Sequence, residues 1–262
     1  IARTTKNDDE IAAIRRASDA VVAAWNALIA HLGSLKPAGE HFVNGGGQPV
    51  TLGDLRALLH REFTNRGLEG GESIVAQGRD AGVPHNRGND EERLRAGAPV
   101  IVDIFPGEAG GGYHSDFTRT FVMGKASDEL KKVHRDVDDA FRLAMDTLEV
   151  GALCRSYQDK VCDLFESRGH ATVRTQPTAD EGSVHGLGHG VGLAVHEAPR
   201  LAGTAANTTT LEPRMVITVE PGLYYPSRGM GVRIEDLVAM TPDGRYENMT
   251  PAPYEMEIIP RA

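Results

Sequence analysis

Five side chains that could bind metal ions are spread along the chain, each in a short and distinctive segment. They are Asp103 in VIVDIF, Asp116 in YHSDFTRTF, His189 in HGLGHGVG, Glu220 in ITVEPG and Glu235 in GVRIED. Most of these segments are apolar and strand-like, so folding is expected to bury the charges. A buried carboxylate without a partner costs several kcal/mol. The simplest common partner for this set is a pair of divalent ions.

The donor set also indicates which chemistry such ions could support. Carboxylate oxygens with one imidazole suit Mn²⁺, Co²⁺, Zn²⁺ or Fe²⁺. Bridging carboxylates can hold two ions about 3.5–4 Å apart, and such a pair acidifies a bound water and polarises a carbonyl, as metal-assisted hydrolysis requires. Ordinary roles stay open for the acids: Asp103 as a turn cap, Asp116 as a partner of Arg119, and Glu220 or Glu235 as partners of Arg233 or Arg214.

The elements that must position these residues follow a pattern that occurs twice. The predicted helices are 8–32 after an Asn7 or Asp8 cap and before Gly33, 51–65 with a Thr51–Asp54 capping box, 127–148 after Ser127, and 156–168 after Ser156. Residues 99–105 and 113–123 are predicted to form a hairpin around the glycine-rich turn 107–112. Apolar segments follow at 185–196, 215–221 and 231–240. The order of two helices followed by strands occurs twice along the chain. This order predicts an α+β fold with a pseudo-twofold, in which helices cover one face of a mostly antiparallel sheet.

Composition narrows the class of protein. The 262 residues are 40% hydrophobic and 25% charged with a net charge of −9, which favours a globular protein and disfavours a nucleic-acid partner. Neither a long apolar run nor a signal peptide is visible, so no membrane partner is expected. Cys154 and Cys162 form no disulfide framework, which favours a reducing, cytoplasmic compartment. Residues 1–262 are predicted to form one domain.

Four motifs, in order, resemble the pita-bread metallopeptidases, the superfamily of methionine aminopeptidase, aminopeptidase P and prolidase. They are DIFPGEAGGGYHSDFTRTF, HGLGHGVGLAVHEAPR, MVITVEPGLYYP and GVRIED, and the resemblance covers essentially the whole chain. It implies a pita-bread fold with a curved, mostly antiparallel sheet. It also implies two divalent ions, with Mn²⁺ expected and Co²⁺, Zn²⁺ or Fe²⁺ as alternatives. Their implied ligands are Asp103, Asp116, His189, Glu220 and Glu235, with Asp116 and Glu235 bridging and Glu220 also acting as general base.

Three histidines resemble those of the proline-specific branch of this superfamily. His85 in VPHNRG matches a histidine beside the scissile bond, and His196 in VHEAP matches one that can stabilise the tetrahedral intermediate. His185 matches the first histidine of HGxGH in prolidase and aminopeptidase P. The opening TTKNDDEIAAIRRAS also resembles the start of a prolidase-type catalytic domain.

Two arginines are candidates for substrate binding. Arg200 matches the arginine that in prolidases can bind the free carboxylate of a dipeptide, a group whose geometry suits a guanidinium. A surface arginine is the alternative. Arg233 matches an active-site arginine of the branch, and its alternative is an ion pair with Asp236.

The resemblance implies hydrolysis of Xaa-Pro bonds in small peptides, first of all in dipeptides, by a metal-activated hydroxide. Alternatives are an aminopeptidase P acting on longer peptides and, more remotely, an inactive binding module on the same fold. The family's N-terminal domain is expected to be absent from this chain, which begins at Ile1, and a homodimer is a further expectation. Relatives carry an active-site tyrosine just before GGESIVAQG, where this chain has Gly70, Gly71 and Glu72.

Overall fold

The computed structural model describes residues 3–70 and 72–260, so Gly71, where the family tyrosine is missing, lies outside the described residues. Within these ranges the α-helices are α1 (Asp8–Gly33), α2 (Leu52–Thr64), α3 (Asp128–Asp146) and α4 (Cys154–Ser167). The strands are β1 (Lys36–Ala38), β2 (His41–Val43), β3 (Leu68–Glu69), β4 (Ser73–Gln77), β5 (Pro99–Ile104), β6 (Gly107–Glu108), β7 (Phe117–Met123), β8 (Gly188–Gly190), β9 (Glu197–Leu201), β10 (Val216–Val219), β11 (Gly222–Tyr225), β12 (Met230–Arg233), β13 (Asp236–Met240), β14 (Tyr246–Asn248) and β15 (Glu257–Ile258). Two helices precede the main strands in each half, as predicted.

Local capping chemistry sets three of the helix starts. Asn7 and Glu10 form a reciprocal capping box at α1, and Thr51 and Asp54 form another at α2. The Ser127 side chain caps α3. Each of these caps satisfies backbone N–H groups that would otherwise lack a partner in the first turn. The predicted starts of α1, α2 and α3 are therefore confirmed.

The start of α4 differs from the prediction. The helix begins at Cys154 rather than after Ser156, and its N-cap Leu153 provides no side-chain hydrogen bond. The Ser156 hydroxyl donates to the Leu153 carbonyl at 2.7 Å, inside the first turn. The Cys154 amide donates to the Thr209 carbonyl at 2.8 Å. A backbone carbonyl from a distant loop thus replaces the expected side-chain cap.

Two sheets carry the strands that matter for the site. One has the order β15-β7-β5-β4 and the other β14-β13-β10-β8-β9, and all their pairings are antiparallel except that of β15 with β7. In the β5–β7 pair, Asp103 lies opposite Thr118. A bridge between Thr118 and Glu235 joins the two halves of the molecule. The mostly antiparallel arrangement is as predicted.

The predicted strand 113–123 is shorter in the structure, because its first residues belong to the turn. The Ser115 amide donates to the Pro106 carbonyl at 3.0 Å, and the Glu108 amide donates to the Tyr113 carbonyl at 3.1 Å. The ladder with β5 starts only at Phe117. Asp116 therefore stands at the last turn position before the strand.

The helices cover one face of the β5–β7 pair and leave the acids on the other. Val102 and Phe117 belong to a core cluster that includes Trp25 of α1 and Phe63 of α2. Successive side chains of a strand point to opposite faces, so Asp103 lies on the face turned away from these helices. Among the described residues, none of the helices has the length and apolarity needed to cross a bilayer.

Candidate metal centre and active site

The five predicted ligands come together from both halves of the chain. Asp103 lies in β5, Asp116 immediately precedes β7, His189 is central in β8, Glu220 follows β10, and Glu235 lies between β12 and β13. Potential ligand atoms of Asp116, His189 and Glu235 all lie within 4.8 Å of one another. His189 Nε2 is 3.2 Å from Glu220 Oε1 and 3.6 Å from Asp116 Oδ2. The strand ends thus gather residues separated by more than a hundred positions.

Burial and mutual repulsion act on three of the acids. Burial, and then the charge of Asp103, raises the pKa of Asp116 well above its ordinary value. Burial, and then Asp116 and Glu220, raises the pKa of Glu235 in the same way. Burial also raises the pKa of Asp103 against the opposing charge of Arg233. Like charges this close favour protonation unless a cation is bound between them.

One carboxylate oxygen in the cluster has no partner. Asp103 Oδ1 is buried without a hydrogen bond to any residue that the structure describes. Such an atom is unfavourable in a protein interior unless it binds a cation. The orphaned oxygen and the donor set of four carboxylates and one imidazole both fit divalent ions of the Mn²⁺, Co²⁺, Zn²⁺ or Fe²⁺ type.

Glu220 and His189 are hydrogen-bonded partners within the cluster. Burial raises the pKa of Glu220, but the hydrogen bond from His189 and the nearby His185 outweigh it and bring the pKa to about 2. Burial lowers the pKa of His189, while Glu220 and Asp116 raise it above its ordinary value. His189 Nδ1 lies 3.1 Å from the Gly190 carbonyl, which leaves Nε2 facing the acids. Ligand histidines are usually oriented by such a bond from their second nitrogen.

Two threonines that the sequence did not single out orient the acids. Thr118 Oγ1 donates to Glu235 Oε2 at 2.6 Å. Thr218 Oγ1 donates to Glu220 Oε1 at 3.3 Å and accepts from the His189 amide at 3.0 Å. Both threonines are buried. These hydroxyls limit the rotation of the carboxylates and so fix the geometry of the cluster.

A buried hydrogen-bonded chain lies beneath the acids. Arg233 Nη2 donates to Asp103 Oδ2 at 2.5 Å, and Nη1 donates to Tyr224 Oη at 2.7 Å. Tyr224 Oη is in turn 2.7 Å from His185 Nε2. Burial raises the pKa of Tyr224, so its hydroxyl stays protonated at neutral pH. Tyr224 is a site residue that sequence reasoning missed, and it links Arg233 to His185.

The ordinary ion pairs considered for these residues are not the ones that form. Arg119 pairs with Asp236 at 2.7 Å and not with Asp116. Arg214 pairs with Asp8 at 2.6 Å. Arg233 pairs with Asp103 rather than with Asp236, so that alternative is wrong. Of these three arginines, Arg233 is the one that reaches the acid cluster.

A cavity of about 610 Å³ opens over the cluster and is lined by the remaining predicted residues, His85, His185, His196 and Arg200. The His196 ring packs against that of His189, with the ring centroids 4.3 Å apart. Burial, and then His189 and Arg200, lowers the pKa of His196, which keeps the ring neutral at neutral pH. A neutral imidazole can present one N–H donor to a ligand in the cavity.

Arg200 is the cavity residue best suited to an anion. It lies on β9 opposite His189 in the β8–β9 register. Its side chain is exposed, and it forms no ion pair with any residue in the described ranges. A guanidinium without an acidic partner at the wall of a cavity can bind a carboxylate in a bidentate manner.

The chain belongs to metallopeptidase family M24, whose profile matches residues 12–242. It is 36% identical over 187 residues to a protein named probable dipeptidase PepE from Mycobacterium bovis, which covers 71% of this chain and 46% of that protein. It is 33% identical over 173 residues to the Xaa-Pro dipeptidase of Pyrococcus furiosus, which covers 66% of this chain and 45% of that protein. The chain spans about half the length of these curated relatives.

Solved structures share the fold along nearly the whole chain. The prolidase from Pyrococcus furiosus superposes with a TM-score of 0.80 at 27% identity, over 96% of this chain and 66% of that one. The X-Pro aminopeptidase from Thermotoga maritima gives a TM-score of 0.81 at 26% identity, over 98% of this chain and 65% of that one. The α+β pita-bread fold expected from the sequence is thereby confirmed.

Proposed function

We propose that this chain is the catalytic domain of a metallopeptidase that holds two divalent ions, with Mn²⁺ expected, and hydrolyses Xaa-Pro bonds, chiefly in dipeptides. The observation that carries the proposal is the cluster of buried acids with an orphaned oxygen on Asp103, set below a cavity of about 610 Å³. The family and the names of its relatives support the same reaction class.

The proposed ligands are Asp103, Asp116, His189, Glu220 and Glu235. Ions bound there would supply Lewis acidity, which polarises the scissile carbonyl and lowers the pKa of a water. Glu220 can accept a proton from the attacking water and return it to the leaving proline nitrogen. An unprotonated amide nitrogen is a poor leaving group, so this nitrogen must gain a proton as the C–N bond breaks, and the product is the secondary amine of proline.

The histidines of the cavity are proposed to bind the reacting carbonyl. His85 and His196 both line the cavity and can donate an N–H to the oxygen that becomes negative in the tetrahedral intermediate. His185 is held by Tyr224 at 2.7 Å, so its role is to fix the cavity wall beside Glu220. Arg233 is proposed to keep Asp103 ionised and in place through its 2.5 Å bond.

Arg200 is proposed to select dipeptides by binding the free carboxylate of proline. In a dipeptide this carboxylate lies one residue from the scissile bond, whereas in a longer peptide an amide takes its place. Hydrogen bonds to a charged group contribute about 1.5–3 kcal/mol, or roughly tenfold to a hundredfold in binding. The position of this guanidinium at the cavity wall, without an acidic partner among the residues that the structure describes, supports this choice.

An aminopeptidase acting on longer peptides is the second candidate, and one feature favours it. The rim of the cavity includes an ion pair of Glu72 and Arg87, and the same two residues line a neighbouring depression of about 590 Å³ with Arg56 and Asn89. The open rim would give a longer peptide a path out of the cavity.

The test compares Ala-Pro, Ala-Pro-Gly and Ala-Gly as substrates of the Mn²⁺-loaded protein, with chelator as the blank. Preferential cleavage of Ala-Pro is expected, and Arg200→Ala should raise KM for it at least about tenfold. The matched control is Arg245→Ala, which removes an exposed arginine that pairs with Asp243 in a surface turn. Cleavage of Ala-Pro-Gly alone, with no effect of Arg200→Ala, would favour the aminopeptidase. Cleavage of none by the loaded protein would overturn the proposed activity.

A further inference from the structure

The loop that carries His196 is closed by the residue that follows it. The 191–197 loop, as named here, comprises the connection between β8 and β9 together with Glu197, the first residue of β9. The Ala194 amide donates to Glu197 Oε1 at 3.0 Å, and the Gly192 amide donates to the Ala194 carbonyl at 3.1 Å. The Glu197 carboxylate thus folds back across the loop, and its position is coupled to that of His196.

Glu197 and His196 face opposite sides of the chain. His196 and Arg200 line the cavity, whereas Glu197 does not. The Glu197 side chain is 9% exposed, and its Oε2 is buried without a hydrogen-bond partner in the part of the chain that the structure describes. A Cβ on Gly192 would lie 2.6 Å from that oxygen, so the carboxylate packs directly against the loop backbone.

A buried lysine from the segment before α1 is placed to meet this carboxylate. Lys6 is 2% exposed, and its Nζ lies 3.7 Å from Glu197 Oε2 and 3.3 Å from the Thr4 carbonyl. Arg3 pairs with the other carboxylate oxygen from the solvent side. A buried ammonium is unfavourable without an acidic partner, and Glu197 is the acid within ion-pair distance of it.

The main chain holds this segment in place independently of its side chains. The Lys6 amide donates to the Arg214 carbonyl at 2.9 Å, and Thr5 bridges Met215 just before β10. Strand β10 leads directly to Glu220. The ammonium therefore stands on a backbone that is bonded to the segment leading into β10.

We propose that Lys6 is a positioning residue that, through Glu197, holds the 191–197 loop so that His196 stays over the acid cluster. The inference rests on the proposed peptidase function for the role of His196, but the geometry of the loop does not depend on it. Loss of the Lys6 charge leaves Glu197 buried without a counter-charge on that side. The carboxylate then turns toward solvent, and His196 moves away from the His189 ring.

The effect on catalysis should appear in kcat rather than in KM. His196 is proposed to bind the oxygen that becomes charged in the transition state, and a displacement near 1 Å in such a contact can reduce the rate by up to about a hundredfold. We expect Lys6→Met and Glu197→Gln each to lower kcat for Ala-Pro about tenfold with little change in KM. The double variant should be no worse than Glu197→Gln alone, because the contact with Lys6 is already lost in that single variant.

Matched variants separate positioning from stability. Lys6→Arg keeps the charge and should restore most of kcat. Lys36→Met makes the same change at an exposed lysine of β1 and should leave kcat unaltered. Glu197→Gln keeps an oxygen for the Ala194 amide and loses only the charge, so it carries the test if Lys6→Met does not fold.

A second readout does not require any peptide to be cleaved. In protein labelled at histidine and loaded with diamagnetic Zn²⁺, the His196 ring proton senses the His189 ring 4.3 Å away. Lys6→Met and Glu197→Gln should shift this NMR signal, whereas Lys36→Met should not. Variants that only lower the melting temperature, with kcat and the His196 signal unchanged, would overturn the proposal. A wild-type protein that cleaves no peptide would refute the proposed function, and the NMR comparison would still decide the positioning role.

Discussion

Two buried groups of charged residues in this molecule have opposite electrostatics. Around Asp136 the protein supplies the counter-charge, since Lys132, Arg168 and His170 bond to its carboxylate at 2.8, 2.7 and 2.9 Å. Burial opposes ionisation there, but these hydrogen bonds lower the pKa of Asp136 to about 2. Around Asp116 the neighbours are mainly other acids, and its pKa is raised.

The contrast between the two clusters indicates which of them needs a bound cation from solution. The chain can neutralise a buried acid with its own cations, as Lys132 and Arg168 do at Asp136. Arg168 and His170 also connect this residue of α3 to the end of α4. At the cavity, Arg233 and His189 face four carboxylates, and Asp103 Oδ1 has no partner among the described residues. A deficit of positive charge at the floor of a cavity is what a pair of divalent ions would correct.

The largest effect is expected from Asp116→Asn in the acid cluster. This change removes a proposed bridging ligand with almost no change of shape. Because loss of outer partners of metal ligands already reduces activity 10–100-fold, we expect a fall of roughly 1,000-fold in kcat/KM for Ala-Pro. Steady-state kinetics with added Mn²⁺ checks this, and Asp136→Asn is the control that should keep its activity. Full activity in Asp116→Asn would remove this residue from the ligand set.

Metal ions should stabilise the protein through the acid cluster alone. Mn²⁺ at 100 times its dissociation constant is expected to raise the free energy of unfolding by about 2.7 kcal/mol for each ion bound, since it binds the folded state and not the unfolded one. Urea unfolding with Mn²⁺ and with chelator measures the difference. The same increment should be found in Asp136→Asn and should shrink in Asp116→Asn.

In the cluster around Asp136, removal of the acid is expected to destabilise the protein. Asp136→Asn leaves Arg168, Lys132 and His170 without their shared acid. A pKa of about 2 in place of the usual 3.8 corresponds to about 2 kcal/mol, once it is reduced for the solvent exposure of Lys132. Urea unfolding at pH 7 in chelator should show this loss. An unchanged midpoint would mean that the three partner side chains contribute nothing to stability through Asp136.

The free energy of unfolding should also depend on pH through Asp136. The folded-state pKa of Asp136 lies below its unfolded value, so its stabilisation is complete above about pH 5 and disappears as the pH falls toward 2. The wild type should therefore lose about 2 kcal/mol more over this range than Asp136→Asn. Unfolding free energies measured from pH 5 to pH 2.5 in chelator test the slope, and parallel curves would contradict it.

The smallest expected effect is a gain in the stability of the metal-free protein on Asp116→Asn, which is opposite in sign to the loss expected for Asp136→Asn. In chelator, Asp116→Asn removes one of several repelling buried acids, and we expect the metal-free protein to gain about 1 kcal/mol. Thermal unfolding of the metal-free wild type and variant is the measurement. A loss of stability in this variant, as in Asp136→Asn, would show that Asp116 is internally compensated.

Much of this arrangement could be predicted from sequence because it is encoded locally. The carboxylates stand in apolar strands or at their ends, where the cost of burial makes an acid conspicuous. The caps at Asn7, Thr51 and Ser127 depend on residues within one helical turn, and the structure confirms them. The place of Ser156 in α4 was wrong because the competing acceptor, Thr209, comes from a remote loop.

Other parts of the site could not be predicted, because they depend on pairings between distant segments. Tyr224 lies in LYYP, where an aromatic residue in a strand usually indicates core packing, and nothing local shows that its hydroxyl reaches Arg233. Arg233 stands closer in sequence to Asp236 than to Asp103, yet the fold gives it Asp103. Lys6 and Glu197 lie 191 positions apart, and the bridge between Thr5 and Met215, just before β10, helps to bring them together.

The most direct test of the central claim is calorimetric titration of chelator-treated protein with Mn²⁺, in the wild type, Asp116→Asn and Asp136→Asn. We predict two ions per chain for the wild type and for Asp136→Asn, and fewer than two for Asp116→Asn. A wild type that binds no Mn²⁺, or an Asp116→Asn variant that binds two ions as tightly as the wild type, would contradict the proposal that the uncompensated acids form a two-ion centre.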